Sequence, residues 1–228
     1  ALIADQPAFN YRGFMLDIGR NFIEPGDIKK LIRVMAYYKL NKLHLHMTDD
    51  EGWRLEIPSL PELTEVGAHR GHTPDNRDHL MPAYGSGPDR NPEGNNGSGY
   101  LSRETFIDLL KFADAHHIEV IPEINLPGHA RAAIYAMEAR YDRLMKEGKQ
   151  EEAEMYRLID PNDGSKYNSA QNFDDNVICV CTEGPYRFFE TVVDEVIAMY
   201  EEAGLTLNVL HTGGDEVPSG VWKGSPIC

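Results

Sequence analysis

The sequence predicts an α/β fold: a partial TIM (β/α)8 barrel made of about its first four βα units. Short apolar strands alternate with amphipathic helices in the order strand, helix, strand, loop, helix, strand, helix, helix, strand. Such alternation implies right-handed crossovers and a parallel sheet. Polar and ionisable residues collect just beyond every strand, at Asp17 and Arg20, Asp49 and Asp50, Asn125 and His129, and Asp215 and Glu216. That is the end at which α/β barrels carry their chemistry. About four strands are legible, whereas closure takes eight strands and about 250 residues. Residues 1–228 therefore read as one unit, the N-terminal half of a longer barrel.

The first strand is Phe14 to Ile18, with Asp17 embedded in it and Arg12 and Arg20 on either side. Pro25-Gly26-Asp27 opens a helix, with Asp27 as the expected N-cap and Ile28, Leu31, Ile32, Met35 and Ala36 on one face. Lys42 to Met47 alternates with period two, so Leu43 and Leu45 share one face and His44 and His46 the other. Thr48 to Arg54 continues as a polar loop holding Trp53. Residues 58–100, rich in Gly, Pro, Asn and Asp, show no lasting periodicity, and a loop this long is usually functional.

Ser102 caps the next helix, with Phe106, Leu109, Leu110 and Ala113 inward. Ile118 to Ile124 forms a third strand and runs into Asn125-Leu126-Pro127-Gly128-His129. Helix is expected from Ala130 to Lys149 and from Pro185 to Glu202, with a short strand or extended connector at Val177 to Val180. Leu205 to Leu210 reads as a buried fourth strand, after a helix that stops at Gly204. It leads into His211-Thr212-Gly213-Gly214-Asp215-Glu216, where glycines allow close approach beside two adjacent carboxyls. Acid–base chemistry needs two carboxyls in different environments.

Composition narrows the function. The net charge of −15, from 22 basic and 37 acidic residues, argues against nucleic-acid partners. No apolar run approaches the roughly 20 residues of a membrane span. The start of the chain has neither a basic region nor an initiator Met, so no signal peptide is read in it. Cys179 and Cys181 lie two apart on one strand face, a poor disulfide geometry, and buried free thiols are expected.

Several groups admit more than one role. His44 and His46 could share a zinc, with His129 and His211 as further ligands, in a metal-dependent hydrolase. The residues themselves favour a hydrogen-bonded core role for His44 and a supporting role beside Asp49 for His46. Trp53 alone reads as core, and Asp17 with its arginines could be only an ion pair.

Four strings together resemble glycoside hydrolase family 20, the β-N-acetylhexosaminidases: Arg12 to Arg20, His44 to Asp50, Pro122 to His129 and His211 to Glu216. The resemblance spans about Tyr11 to Trp222. It implies a glycosidase that releases terminal β-linked N-acetylhexosamine from a glycan, retaining configuration, with the substrate's own acetamido oxygen as nucleophile. By the same resemblance Glu216 is the general acid/base and Asp215 holds the acetamido N–H. Arg20 grips sugar hydroxyls, and Asp49 and His129 orient the acid. His46 and Glu123 support them, and no metal or organic cofactor is needed. An extracellular, periplasmic or lysosome-like compartment is favoured on the same ground.

The sequence departs from the family pattern in two ways. Asn125 stands where the family usually has Asp, a change expected to touch the network around Glu123 and His129. The tryptophans and tyrosine that complete the family's sugar pocket are missing, so the chain is expected to be inactive alone and to self-associate through open barrel edges. The alternative reading is a non-catalytic sugar-binding or assembly half-barrel.

Overall fold

The computed structural model describes residues 2–90 and 94–228. It is an α/β fold built on a parallel three-stranded sheet. The elements in chain order are β1 (Gly13–Asp17), α1 (Pro25–Tyr37), β2 (Lys42–His46), β3 (Thr48–Asp49), β4 (Gly52–Trp53), α2 (Glu62–Glu65), α3 (Arg103–Asp114), β5 (Glu119–Glu123), α4 (Arg131–Lys146), α5 (Gln150–Glu154) and α6 (Glu183–Glu202). The sheet order is β1-β2-β5, with both pairings parallel.

The core lies on the sheet's helical side. Leu43 and Leu45 of β2 are fully buried there with Ile28, Ile32 and Met35 of α1 and Phe106, Leu109 and Leu110 of α3. α6 adds Phe188, Val192, Val196 and Met199, spaced to line one helix face. Trp53 is buried against Phe188 and donates its indole N–H to the Leu55 carbonyl at 2.6 Å, so it is core. No helix among the described residues is long and apolar enough to cross a membrane.

Helix ends follow their local chemistry, with one correction. Ser102 accepts from the Thr105 N–H and caps α3 as expected. Asp27 does not cap α1. The N-cap is Glu24, Pro25 is the first helical residue, and Asp27 lies in the same first turn, where its charge favours the helix N-terminus and pairs with Lys30. α6 stops at Gly204, whose φ of 78° is the left-handed conformation that glycine tolerates best. The single helix expected over 130–149 breaks after Lys146 and resumes as α5.

Three other expectations are corrected. Leu205 to Leu210 is extended but only half-buried and forms no regular strand. Its end joins the sheet through one parallel bridge, Glu123 with His211. Val177 to Val180 takes the second of its two expected forms, a mostly buried connector. The loop after β2 is a small hairpin, β3 pairing antiparallel with β4. Cys181 is not a free thiol, because it is bonded to Cys228, 47 residues away with Cα atoms 5.5 Å apart; Cys179 is free and buried. Only the fold brings residues so distant in sequence into reach.

The long loop over residues 54–101 is held from inside. The Arg54 guanidinium is fully buried and donates to the carbonyls of Ile18, Gly19, Ala68, Gly97 and Gly99 at 3.0–3.2 Å. Five backbone acceptors satisfy a charge that burial would otherwise make costly. Arg70 ties the same loop to the Arg20 carbonyl at 2.6 Å and to Asn21 at 2.8 Å.

Candidate active site

Strand register assembles the site. Asp17 pairs with His46, His46 with Glu123, and Glu123 bridges to His211, so these four residues form one row across the C-terminal strand ends. Side chains at one level of a parallel sheet face the same side. His46 places Nε2 2.7 Å from Asp49 and Nδ1 3.1 Å from Glu123. His44, two residues earlier, places Nε2 2.6 Å from the same Glu123 oxygen. His211 Nδ1 stands 3.5 Å from the other one.

The β3–β4 hairpin turns Asp49 and Asp50 inward, and neither is exposed. Asp49 faces Arg20 at 3.1 Å, His46 at 2.7 Å and His129 at 3.3 Å. Arg20 also holds Asp17 at 2.7 Å. Asp50 meets His129 Nδ1 at 3.2 Å, takes an N–H from Asn176 at 2.9 Å and takes the Arg131 backbone N–H at 3.2 Å. On its far side His129 turns Nε2 to Glu216, 3.3 Å away, with Asp215 at 4.0 Å. His129 and Glu216 both have φ of 51°, uncommon for residues with a Cβ, and such conformations cluster at functional sites.

The Asp215–Glu216 strand end is tied back by Asn125. Its amide donates to Asp215 Oδ1 at 3.2 Å, and its Oδ1 accepts the Gly214 N–H at 3.1 Å. Gly213 has φ of 64°, and a Cβ there would run into the Asn125 side chain. Asn125 touches this segment rather than Glu123 or His129, which relocates the expected effect of the departure. The side chains of Asp215 and Glu216 remain 63% and 48% exposed, so the pair sits on a hydrated rim.

The electrostatics follow from these contacts. Hydrogen bonds donated to Asp49 and Asp50 raise His129 to about 10. Burial opposes charge on His46, but Asp49 and Glu123 outweigh it and raise the imidazole to about 9. Both are therefore imidazolium at neutral pH, and the His129 cation stands 3.3 Å from Glu216 as an ion pair rather than a hydrogen bond. Asp49 is held well below the usual carboxylate range; burial works against this, and His129, His46 and Arg20 overcome it. Glu123 is lowered against burial by His46, His44 and His211. Glu51 behaves oppositely: burial, then repulsion from Asp49 and Asp50, pushes it up to about 7.

Arg20, Asp49, His46, Glu123, His129 and Glu216 thus form one chain of ion-pair contacts, with Asp215 reaching it at His129, 4.0 Å away. Arg12 is not part of it, since its guanidinium donates to the backbone of Lys39 and Phe9. Asp50, Glu51 and Gln171 were not singled out as site residues from sequence. The run Asp49-Asp50-Glu51 after a strand was a signal for the first two; nothing local marks Gln171, whose amide reaches Glu216 at 2.7 Å.

Three groups bring ligand-type atoms within 4.8 Å of one another: His44, Glu123 and His211; Asp49, Asp50 and His129; and His129, Asp215 and Glu216. At the two groups that include His129, a metal would have to displace the proton that Asp49 and Asp50 hold on its imidazole. Carboxylate–imidazolium pairing accounts for its geometry.

The site is thus a carboxylate pair beside a buried imidazolium at the strand ends of a parallel α/β scaffold. The glycosyl hydrolase family 20 catalytic-domain model matches residues 9–228, and the chain belongs to that family. It is 53% identical over 215 residues to N,N'-diacetylchitobiase of Vibrio harveyi, covering 94% of this chain and 24% of that protein. It is 46% identical over 226 residues to β-hexosaminidase B of Pseudoalteromonas piscicida, covering 99% of this chain and 29% of that protein. A family 20 exo-β-N-acetylglucosaminidase from Vibrio harveyi, solved with N-acetylglucosamine, superposes with a TM-score of 0.81 at 40% identity, covering 98% of this chain and 30% of that one. The chain thus spans about a quarter to a third of the length of these relatives.

Proposed function

We propose that this chain carries the acid–base half of a β-N-acetylhexosaminidase site, acting on terminal non-reducing N-acetylhexosamine of β-linked glycans. The observation that carries the reading is the buried His129 imidazolium held between Asp49 and Glu216. A cation fixed there orients the Glu216 carboxyl and stabilises it when it has given up its proton.

In the proposed reaction the acetamido carbonyl oxygen of the substrate attacks its own anomeric carbon. The glycosidic C–O bond breaks as Glu216 transfers its proton to the leaving oxygen. Asp215, oriented by the Asn125 amide, accepts a hydrogen bond from the acetamido N–H and balances the charge of the cyclic oxazolinium intermediate. Water then attacks the anomeric carbon, Glu216 takes up its proton, and configuration is retained. Arg20, anchored by Asp17 and Asp49, presents its remaining donors to sugar hydroxyls.

The same reading makes the chain the first part of a (β/α)8 barrel whose other strands enclose the sugar. The exposure of Asp215 and Glu216 and the half-buried segment after α6 support it. The test is Glu216→Gln in the complete protein. Turnover of a poor leaving group should fall about 10²–10⁴-fold, with a much smaller loss on an activated aryl glycoside. Equal losses on both would remove Glu216 as the acid.

A further inference from the structure

Glu216 is half exposed at its side chain and has an unusual backbone conformation, so packing alone does not fix its carboxyl plane. Two nitrogens address one of its oxygens. His129 Nε2 lies 3.3 Å from Oε2, and the Gln171 amide donates to that same Oε2 at 2.7 Å. The amide contact is the shorter of the two and lies at a good hydrogen-bond distance.

Gln171 is itself held in place. It stands in a tight turn in which the Ser169 and Asn172 N–H groups donate to the Phe173 and Ser169 carbonyls at 2.8 and 2.9 Å. The Phe173 N–H donates to the Ser169 hydroxyl at 3.0 Å. Phe173 packs under the Arg131 guanidinium, which pairs with Asp175 at 2.9 Å, while the Arg131 backbone N–H holds Asp50. The turn therefore rests on the same platform as His129. Gln171 Oε1 is buried without a hydrogen-bond partner among the described residues, so the Glu216 contact sets the amide's orientation.

We propose that Gln171 is a positioning residue for proton transfer: its amide occupies Oε2 of Glu216 beside the His129 cation, leaving Oε1 to carry the proton to the leaving oxygen. This rests on the reading of Glu216 as general acid. The amide supplies a hydrogen bond at 2.7 Å that stays on Oε2 whether Glu216 is charged or neutral, and so holds the carboxyl plane through both halves of the cycle. Charge-assisted hydrogen bonds of this kind also favour the ionised form.

The experiment compares Gln171→Leu, which removes the donor, with Gln171→Lys, which restores an N–H within reach, in the complete protein. Two substrates are used, an N-acetylhexosamine disaccharide and an activated aryl N-acetyl-β-hexosaminide. Gln171→Leu should lower kcat/KM on the disaccharide about tenfold, the size of one charge-assisted hydrogen bond, and change the aryl substrate less than about twofold. The alkaline limb of its kcat/KM profile should move to higher pH, and Gln171→Lys should recover most of the loss. Equal losses on both substrates, an unmoved alkaline limb, or wild-type rates from Gln171→Leu would overturn the assignment. A wild-type protein inactive on both substrates would overturn the functional reading and this role with it.

Discussion

Asp49→Asn tests the network at the point where most of it converges. The Asp49 side chain has no exposure and faces three cations, Arg20 at 3.1 Å, His46 at 2.7 Å and His129 at 3.3 Å. The substitution keeps the shape and removes the charge. Breaking a buried ion pair by neutralising one partner costs about 3–5 kcal/mol, because the other charges stay buried without compensation. The pH dependence adds a sharper signature. His46 and His129 are raised from 6.5 to about 9 and about 10, so their contribution is full below pH 6.5 and is lost as pH rises through those values. Each histidine then lowers stability by up to about 1.4 kcal/mol per pH unit across its window. Glu51, raised from 4.5 to about 7, acts in the same direction between those values. Asp49 and Glu123 are depressed, so their contribution is present above the ordinary carboxylate range and is lost only in stronger acid. Stability of the 228-residue chain should therefore peak in mild acid and decline toward pH 10. Urea unfolding followed by far-ultraviolet circular dichroism, from pH 4 to pH 10, measures this. Asp49→Asn should be less stable by about 3–5 kcal/mol near pH 6 and show a shallower alkaline decline. Two parallel curves would refute the reasoning, because Asp49 would then not be what holds the histidine protons.

The remaining predictions concern the rim and the edges. Asn125→Asp in the complete protein puts a second carboxylate beside Asp215, 3.2 Å from the present amide contact, so activity should fall above neutral pH by about fivefold and recover in acid; an unchanged pH profile would contradict this. The 228-residue chain alone should be essentially inactive and self-associate, because Phe14 and Met15 on the edge strand β1 and Val209 in the extended segment after α6 are 43%, 47% and 44% exposed. Size-exclusion chromatography with light scattering and an aryl-glycoside assay decide it, and an active monomer would show the edge argument to be mistaken.

The parts of the fold governed by short-range chemistry were legible in the sequence. Alternation at Leu43, His44, Leu45 and His46 assigned faces, Ser102 marked its helix start, and Gly204 marked a helix end. Failures came where distant partners decide the outcome. Leu205 to Leu210 has strand composition, yet without a neighbour on its far side it remains extended and half-exposed. Cys181 finds Cys228 only through the fold, and Asp27 lost the cap position to Glu24 because Pro25 fixes the first turn. The row Asp17, His46, Glu123 and His211 was visible as four separate motifs, but its alignment is set by strand register. Gln171 lies in an irregular acidic stretch with no motif, so its reach to Glu216 depends entirely on the turn that carries it.

The central claim is that the substrate's own acetamido group supplies the nucleophile while Glu216 moves the proton. The most direct measurement compares hydrolysis of an aryl N-acetyl-β-glucosaminide with the matched aryl β-glucoside by the complete protein. The two substrates share a leaving group and differ at C2, where the glucoside carries a hydroxyl in place of the acetamido group. The account predicts turnover of the first and essentially none of the second, with strong inhibition by a thiazoline mimic of the cyclised intermediate. Comparable rates on the two glycosides would contradict it.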